Sequence, residues 1–379
     1  IETELALKKE LGDEFQIATI GPGGENLVRY ACINHDYGRE AGRAGIGAVL
    51  GHKRVKAVCV RGTRDIPIAD LPSMERIVRE LLEHAGKHPA LKEWQDYGTS
   101  QVIPLSSEWG SLPTRNFQTG TYEHADSIDH LHMRERVVKL DKACFACPMA
   151  CGKYSYSEKY KVYCEGAEYE TLALLGSNCG LSDVDDVLYA NYLCDELGID
   201  TISAGGVCAW AFEASEKGLL DVGGFGDAEA LFDLLRKIAN REGVGDVLAD
   251  GVRAAAGKFG GSEFAIHIKG MEQSGYESRG APAMLLSYMT CDVGAHHNRS
   301  WAVMRDLEKG RDVLDGKAEW VIGLQHKRPM FDMLGVCRLP WIELGLNERH
   351  YANFYRYVTG NDASLEELLE LSLIHISEP

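Results

Sequence analysis

Three cysteines within eight residues, Cys144-Phe-Ala-Cys147-Pro-Met-Ala-Cys151, constrain this chain more than any other feature of its sequence. The C-x2-C-x3-C spacing brings three thiols close together and suits three corners of a cubane [4Fe–4S] cluster, with a fourth ligand supplied from elsewhere. The spacing differs from that of radical enzymes, where the longer gap comes first, and it lacks the further C-x2 step of a bacterial ferredoxin. Two other readings compete. The cysteines could share one helical face at i, i+3 and i+7, but Pro148 would break such a helix. They could also bind zinc, although tetrahedral zinc sites usually pair two C-x2-C units. Eleven cysteines is an odd number, which speaks against a simple disulfide framework. Single cysteines among apolar neighbours, such as Cys59, Cys194 and Cys208, read as small buried hydrophobes.

At 379 residues the chain is long enough for two or three domains with cores of their own. Its net charge of −17 repels phosphate backbones, so nucleic acid is excluded as a partner. The apolar runs fall far short of the roughly 20 residues of a membrane span. Without a signal-peptide pattern the default compartment is the cytoplasm. The chain opens on Ile1 without methionine, and residues 372–379 resemble a translated sequencing adapter. The natural protein is therefore expected to be longer at both ends.

Gln16 to Ile20, Leu27 to Ile33 and Val55 to Val60 read as β-rich runs. From about Leu71 the pattern is helical, with a stripe of Ile77, Val78, Leu81 and Leu82. Asp183 caps a helix expected to stop at Gly198; further helices are expected from about Gly205 to Lys217 and over Ala228 to Asn240. Beyond Gly270 lies a stretch rich in glycine, proline and histidine with little periodicity. The expected fold is mainly α with an N-terminal β remnant, α+β overall.

A six-residue phrase occurs twice: Asp195-Glu-Leu-Gly198-Ile199-Asp200 and Asp332-Met-Leu-Gly335-Val336-Cys337. The first sits where a helix stops at glycine, a geometry that leaves backbone groups free for a ligand. Two copies suggest one ligand type bound twice. The second copy ends in a cysteine, which would complete the cluster.

Together the cysteine triad and the paired D-x-x-G phrases resemble the aldehyde:ferredoxin oxidoreductase family. Gly38-Arg-Glu-Ala-Gly-Arg-Ala-Gly-Ile-Gly-Ala-Val-Leu-Gly51, Leu112-Pro-Thr-Arg-Asn-Phe-Gln118 and Gly166-Ala-Glu-Tyr-Glu-Thr171 are similar to phrases of the same family. The resemblance implies tungsten, or molybdenum, held by two pterins beside a [4Fe–4S] cluster, with magnesium as a candidate bridge between pterin phosphates. Cys144, Cys147, Cys151 and Cys337 would bind the cluster. Asp195, Ile199, Asp200, Arg299, Asp332 and Val336 would contact the pterins. Arg39, Ala41, Gly42 and Arg43 would meet their phosphates, which suits arginines and glycine amides. As a nucleotide-binding sequence the glycine loop is poor, because a β-run rather than a helix is expected to follow it. The expected division is 1–68, the end of a pterin-binding sheet domain; 69–268, helical; 269–371, helical and irregular; and a non-native tail at 372–379.

Glu170 aligns with the family's active-site glutamate and would accept a proton, while His297 would hydrogen-bond the aldehyde carbonyl. Val293 stands where many members carry an arginine, and Tyr189 lies near where the type enzyme has a glutamate on an inter-subunit iron. The resemblance therefore implies neither that arginine contact nor a metal-bridged dimer here, although a homo-oligomer is compatible with it. It implies an anaerobic enzyme that oxidises an aldehyde and passes electrons to ferredoxin. A non-catalytic iron–sulfur electron-transfer module and a zinc-stabilised helical interaction protein are the rival readings.

Overall fold

A computed structural model describes residues 1–373. Its N-terminal part is a four-stranded antiparallel sheet formed by β1 (Gln16–Thr19), β2 (Ile33–His35), β3 (Arg39–Ala41) and β4 (Ala57–Val60), in the order β3-β2-β1-β4. The pairing of His35 with Arg39 puts that arginine on an edge strand.

Two expectations fail here. Leu27 to Ile33 is not one strand: Leu27 sits in the left-handed region at φ 59°, Ala31 makes only an isolated bridge, to Ile199, and β2 starts at Ile33. The glycine loop also leads directly into a helix, Ile46–His52. Gly45 precedes it at φ 71°, and a Cβ there would lie 2.1 Å from the Arg29 carbonyl oxygen. Only glycine fits this corner.

The body is largely helical, as expected, but it contains a second sheet that periodicity did not disclose. Strands β5 (Val138–Lys142), β6 (Gly152–Ser157) and β7 (Val162–Glu165) form an antiparallel sheet in chain order, and the cysteine loop joins the first two. Helices Leu71–Lys87, Val184–Leu197 and Ala228–Asn240 lie where the sequence places them. Asp183 and Asp227 each cap the next helix by accepting a backbone N–H. The third helix begins earlier than expected, at Thr201, because the Asp200 carboxylate caps it through Ile202 and Ser203 N–H. The stretch beyond Gly270 is also less irregular than its composition suggests, since Pro282–Thr290 is a helix.

One core fills the centre, with Trp210, Phe212, Phe232 and Tyr288 fully buried in it. A small satellite of Met330, Phe331, Tyr351 and Leu368 packs the C-terminal helices. Among the described residues, no helix is long and apolar enough to cross a membrane.

Candidate active site

Glu170 occupies a short helical turn, Tyr169–Thr171, that runs straight into a buried π-helical segment, Leu172–Gly176. Such turns often mark functional positions, because the extra residue re-aims the side chains beside it. Glu170 Oε2 accepts from the Gly275 N–H at 2.7 Å, and Oε1 lies 3.2 Å from His297 Nδ1. That last contact is off hydrogen-bonding geometry, so both atoms are buried without a formal partner. Burial pushes the Glu170 carboxyl up to about 7, against the lowering effect of the Gly275 N–H and Arg43. Burial, together with His296 and Arg338, holds His297 well below the ordinary imidazole range. A neutral imidazole therefore faces a carboxyl group that can gain or lose a proton near neutrality.

The pair lines a cavity of about 520 Å³. Among its other lining groups, Tyr276, Trp301, Arg328 and Arg338 were missed in the sequence. Arg328 is buried and its Nε has no partner; burial, then Arg338, brings its guanidinium down to about 9. Arg338 is held by the Asn298 side-chain oxygen. Two cations stay close in a buried place only at electrostatic cost, and Glu343, which lines the same cavity, lies within electrostatic reach of both. Nothing in the sequence around Arg328 marked it, because only the fold brings it to Glu170.

The paired phrases adopt one local structure. Gly198 at φ 68° and Gly335 at φ 66° each end a helix. The N–H of Ile199 bonds the Cys194 carbonyl at 3.1 Å, and the N–H of Val336 bonds that of Phe331 at 3.0 Å. Both are the six-to-one closure of a Schellman turn. The copies differ in burial: Asp195 and Ile199 are buried, while Val336 and Cys337 are exposed. Asp195 Oδ2 accepts from Asn191 at 3.1 Å. Glu40, also overlooked in the sequence, stands beside it, and Asn34 bridges the Glu40 carboxylate and the Asp195 carbonyl. Asp332 accepts from Arg299 at 2.6 Å, which joins the second phrase to the histidine loop. Arg43 is buried between Asp200, at 3.4 Å, and the carbonyls of Ala295 and Glu272. Arg39 pairs with Glu165 at 2.5 Å, yet its Nε has no partner. Ala41 is exposed and Gly42 half-buried next to them.

The cysteine loop is not helical, which removes the reading of three thiols on one helical face. Ala146 at φ 54° and Ala150 at φ 43° hold left-handed conformations unfavourable for alanine, so the surroundings impose the loop's shape. All four sulfurs are free thiols. Cys337 lies within electrostatic reach of Cys144 and Cys147, and Cys151 within reach of Cys337 and Cys144. Among the described residues, no three His, Cys, Asp or Glu side chains are already drawn together tightly enough to hold a metal ion. The donor set is nonetheless that of a cubane cluster, and the unpartnered Arg39 Nε lies within electrostatic reach of Cys144 and Cys151. These residues fit the group the sequence implies. Of the expected core cysteines, Cys194 and Cys208 are buried and Cys59 is half-buried.

A loop carrying three free thiols with a fourth within electrostatic reach, and a buried acid–imidazole pair, lie on one α+β scaffold. The chain belongs to the aldehyde ferredoxin oxidoreductase family. Residues 76–373 match the model of "Aldehyde ferredoxin oxidoreductase, domains 2 & 3", and residues 1–62 match that of its N-terminal domain. The chain is 38% identical over 388 residues to the tungsten-containing aldehyde ferredoxin oxidoreductase of Pyrococcus abyssi, covering 98% of this chain and 63% of the relative. A second relative of that description, from Thermococcus kodakarensis, is 37% identical over 386 residues with the same coverage. The chain thus spans 63% of the length of these curated relatives. Among solved structures, the active-site complex BamBC of benzoyl coenzyme A reductase, in complex with 1,5-dienoyl-CoA, is similar at a TM-score of 0.79 and 25% identity. The likeness covers 99% of this chain and 66% of that one.

Proposed function

We propose that the protein oxidises an aldehyde to its carboxylic acid at a tungsten–bis-pterin centre in the cytoplasm, with electrons leaving through a [4Fe–4S] cluster to ferredoxin. The observation that carries this reading is the 3.2 Å approach of Glu170 to His297 in the wall of the cavity that Arg328 and Arg338 also line. The net change is aldehyde plus water to acid, two protons and two electrons. When bound, the metal pterin supplies oxygen transfer and takes up the electron pair, and the cluster supplies one-electron exit. Cys144, Cys147, Cys151 and Cys337 hold the cluster. Asp195, Ile199, Asp200, Arg299, Asp332 and Val336 would hold the pterins, and the segment from Arg39 to Arg43 would meet their phosphates, with magnesium as a further candidate ion.

The chain's own part in the chemistry follows from the geometry. His297, neutral at working pH, offers an N–H to the carbonyl oxygen without bringing a mobile proton. Glu170, with a value of about 7, takes the proton released as the acid forms. Arg328 and Arg338 line the same cavity and neutralise the carboxylate as its charge develops.

Replacing Glu170→Gln removes the base but keeps an acceptor for the Gly275 N–H. Aldehyde-dependent reduction of an artificial acceptor should then fall by roughly 100-fold or more, with tungsten and iron content unchanged. Full activity in this variant refutes the assignment.

A further inference from the structure

A second cavity, of about 570 Å³, shares no lining residue with the one that holds Glu170 and His297. Helix Leu71–Lys87 lines it through Val78, Leu81 and Leu82, and helix Arg349–Thr359 through Tyr351, Phe354 and Tyr355. The cysteine loop reaches it at Ala146 and Pro148, and the second repeated phrase at Val336, next to Cys337. None of its lining residues carries a charge, so an ionic occupant would lose its water there without compensation. Tyr351 is the anomaly in this wall. It is buried at 1% exposure with its ring 3.9 Å from that of Trp341, and its hydroxyl meets no hydrogen-bond partner among the described residues. A buried hydroxyl left unpaired destabilises the fold that keeps it, so an acceptor is the missing piece. Burial, then Cys337, pushes the phenol up, so the group stays a donor within electrostatic reach of that cysteine.

We propose that this cavity takes a neutral quinone as a second electron acceptor, its ring against Trp341 and Phe354 and one carbonyl oxygen accepting from the Tyr351 hydroxyl. The volume lies in the range of roughly 300–1,000 Å³ found for small-ligand pockets. An aromatic hydrocarbon or a fatty chain would fill the same walls but leave the hydroxyl unpaired. A quinone satisfies both, and a redox-active occupant suits a wall built partly from the cysteine loop. The inference rests on the cluster of the proposed function, not on the aldehyde. Two electrons and two protons turn both quinone carbonyls into hydroxyls. Aldehyde oxidation releases the same number, so aldehyde, water and quinone give acid and hydroquinone.

The test begins with calorimetric titration of the full-length holoenzyme with menadione and with 2-methylnaphthalene, the same skeleton without carbonyls. Menadione should bind, and Tyr351→Phe should weaken it about 2- to 12-fold while leaving 2-methylnaphthalene unchanged. Val78→Trp, which fills the cavity, should weaken both by more than about fivefold. Without ligand, Tyr351→Phe should melt no lower than the parent, because it removes an unpaired hydroxyl; a clearly lower Tm means the hydroxyl is already paired and overturns the inference. In holoenzyme reduced with dithionite and then desalted, menadione should restore the visible absorbance of the oxidised cluster. That reoxidation should be slower in both variants at subsaturating menadione. Failure of menadione to bind, as when further chain occupies the cavity, overturns the inference, and so does equal affinity in Tyr351→Phe. Binding without reoxidation, or reoxidation equally fast in Val78→Trp, overturns it as well. Aldehyde-dependent reduction of a viologen is measured alongside. Its absence refutes the aldehyde reading, while the quinone measurements still decide this inference because dithionite supplies their electrons.

Discussion

A carboxyl group raised to about 7 leaves a signature on stability that does not depend on any cofactor. Glu170 ordinarily titrates near 4.5, so the folded chain holds its proton more tightly than the unfolded chain does. The stabilisation this brings is complete below about 4.5 and is lost as pH rises through about 7; the loss is on the order of 3 kcal/mol. His297 is pushed the other way, so below its ordinary range the unfolded chain binds a proton that the folded chain refuses; this opposing trend is common to parent and variant, and comparing the two removes it. Glu170→Gln should therefore melt a few degrees above the parent at pH 8, and the gap should close near pH 4.5 when followed by circular dichroism. An equal shift at both pH values contradicts the burial argument. Glu170, His297 and the four cysteines were legible in the sequence because each sits in a phrase of resembling residues. Glu40 and Arg338 were not, although each adjoins a residue that was, and Tyr276, Trp301 and Arg328 were not because only tertiary contacts bring them to the site.

The helix Thr201–Glu216 presses closely on the π-helical segment that follows Glu170. A Cβ built on Gly205 would stand 2.6 Å from the backbone carbon and oxygen of Leu174, and backbone cannot step aside as a flexible side chain can. Gly205→Ala should lower the urea midpoint by an amount equivalent to about 1–3 kcal/mol and loosen the turn that aims Glu170. Gly257→Ala is the control: it lies in the helix Val252–Phe259 with nothing within 4 Å of its Cβ. That change should be neutral or stabilise by up to about 1 kcal/mol. Equal effects at the two positions would dismiss the close approach. Helices were legible where a capping aspartate opens them, as Asp183 and Asp227 do. Asp200 also caps a helix, but as part of the repeated phrase it was read only as a ligand contact. Leu27 to Ile33 misled because β-prone residues there follow a left-handed Leu27, which no propensity discloses.

At the scale of the molecule, a β sheet carrying Arg39 on its edge meets a helical body that supplies both Schellman turns, the acid–imidazole pair and the cysteine loop. The α+β class was legible from where β-rich runs give way to helical stripes. The sheet β5–β7 was not, because its strands are only four to six residues long, carry many polar residues and are split by the cysteine loop. Of the expected tail, Ser372 and Leu373 end the last described helix and fall within the family match; 374–379 lie outside the described residues. The account as a whole requires four thiols to hold iron beside a second metal centre. Its most direct test is the iron, sulfide, tungsten, molybdenum and zinc content of the anaerobically purified full-length protein. About four irons together with tungsten is the predicted result. About four irons with neither tungsten nor molybdenum would instead describe an electron-transfer module, and zinc in place of iron would contradict the account at its root.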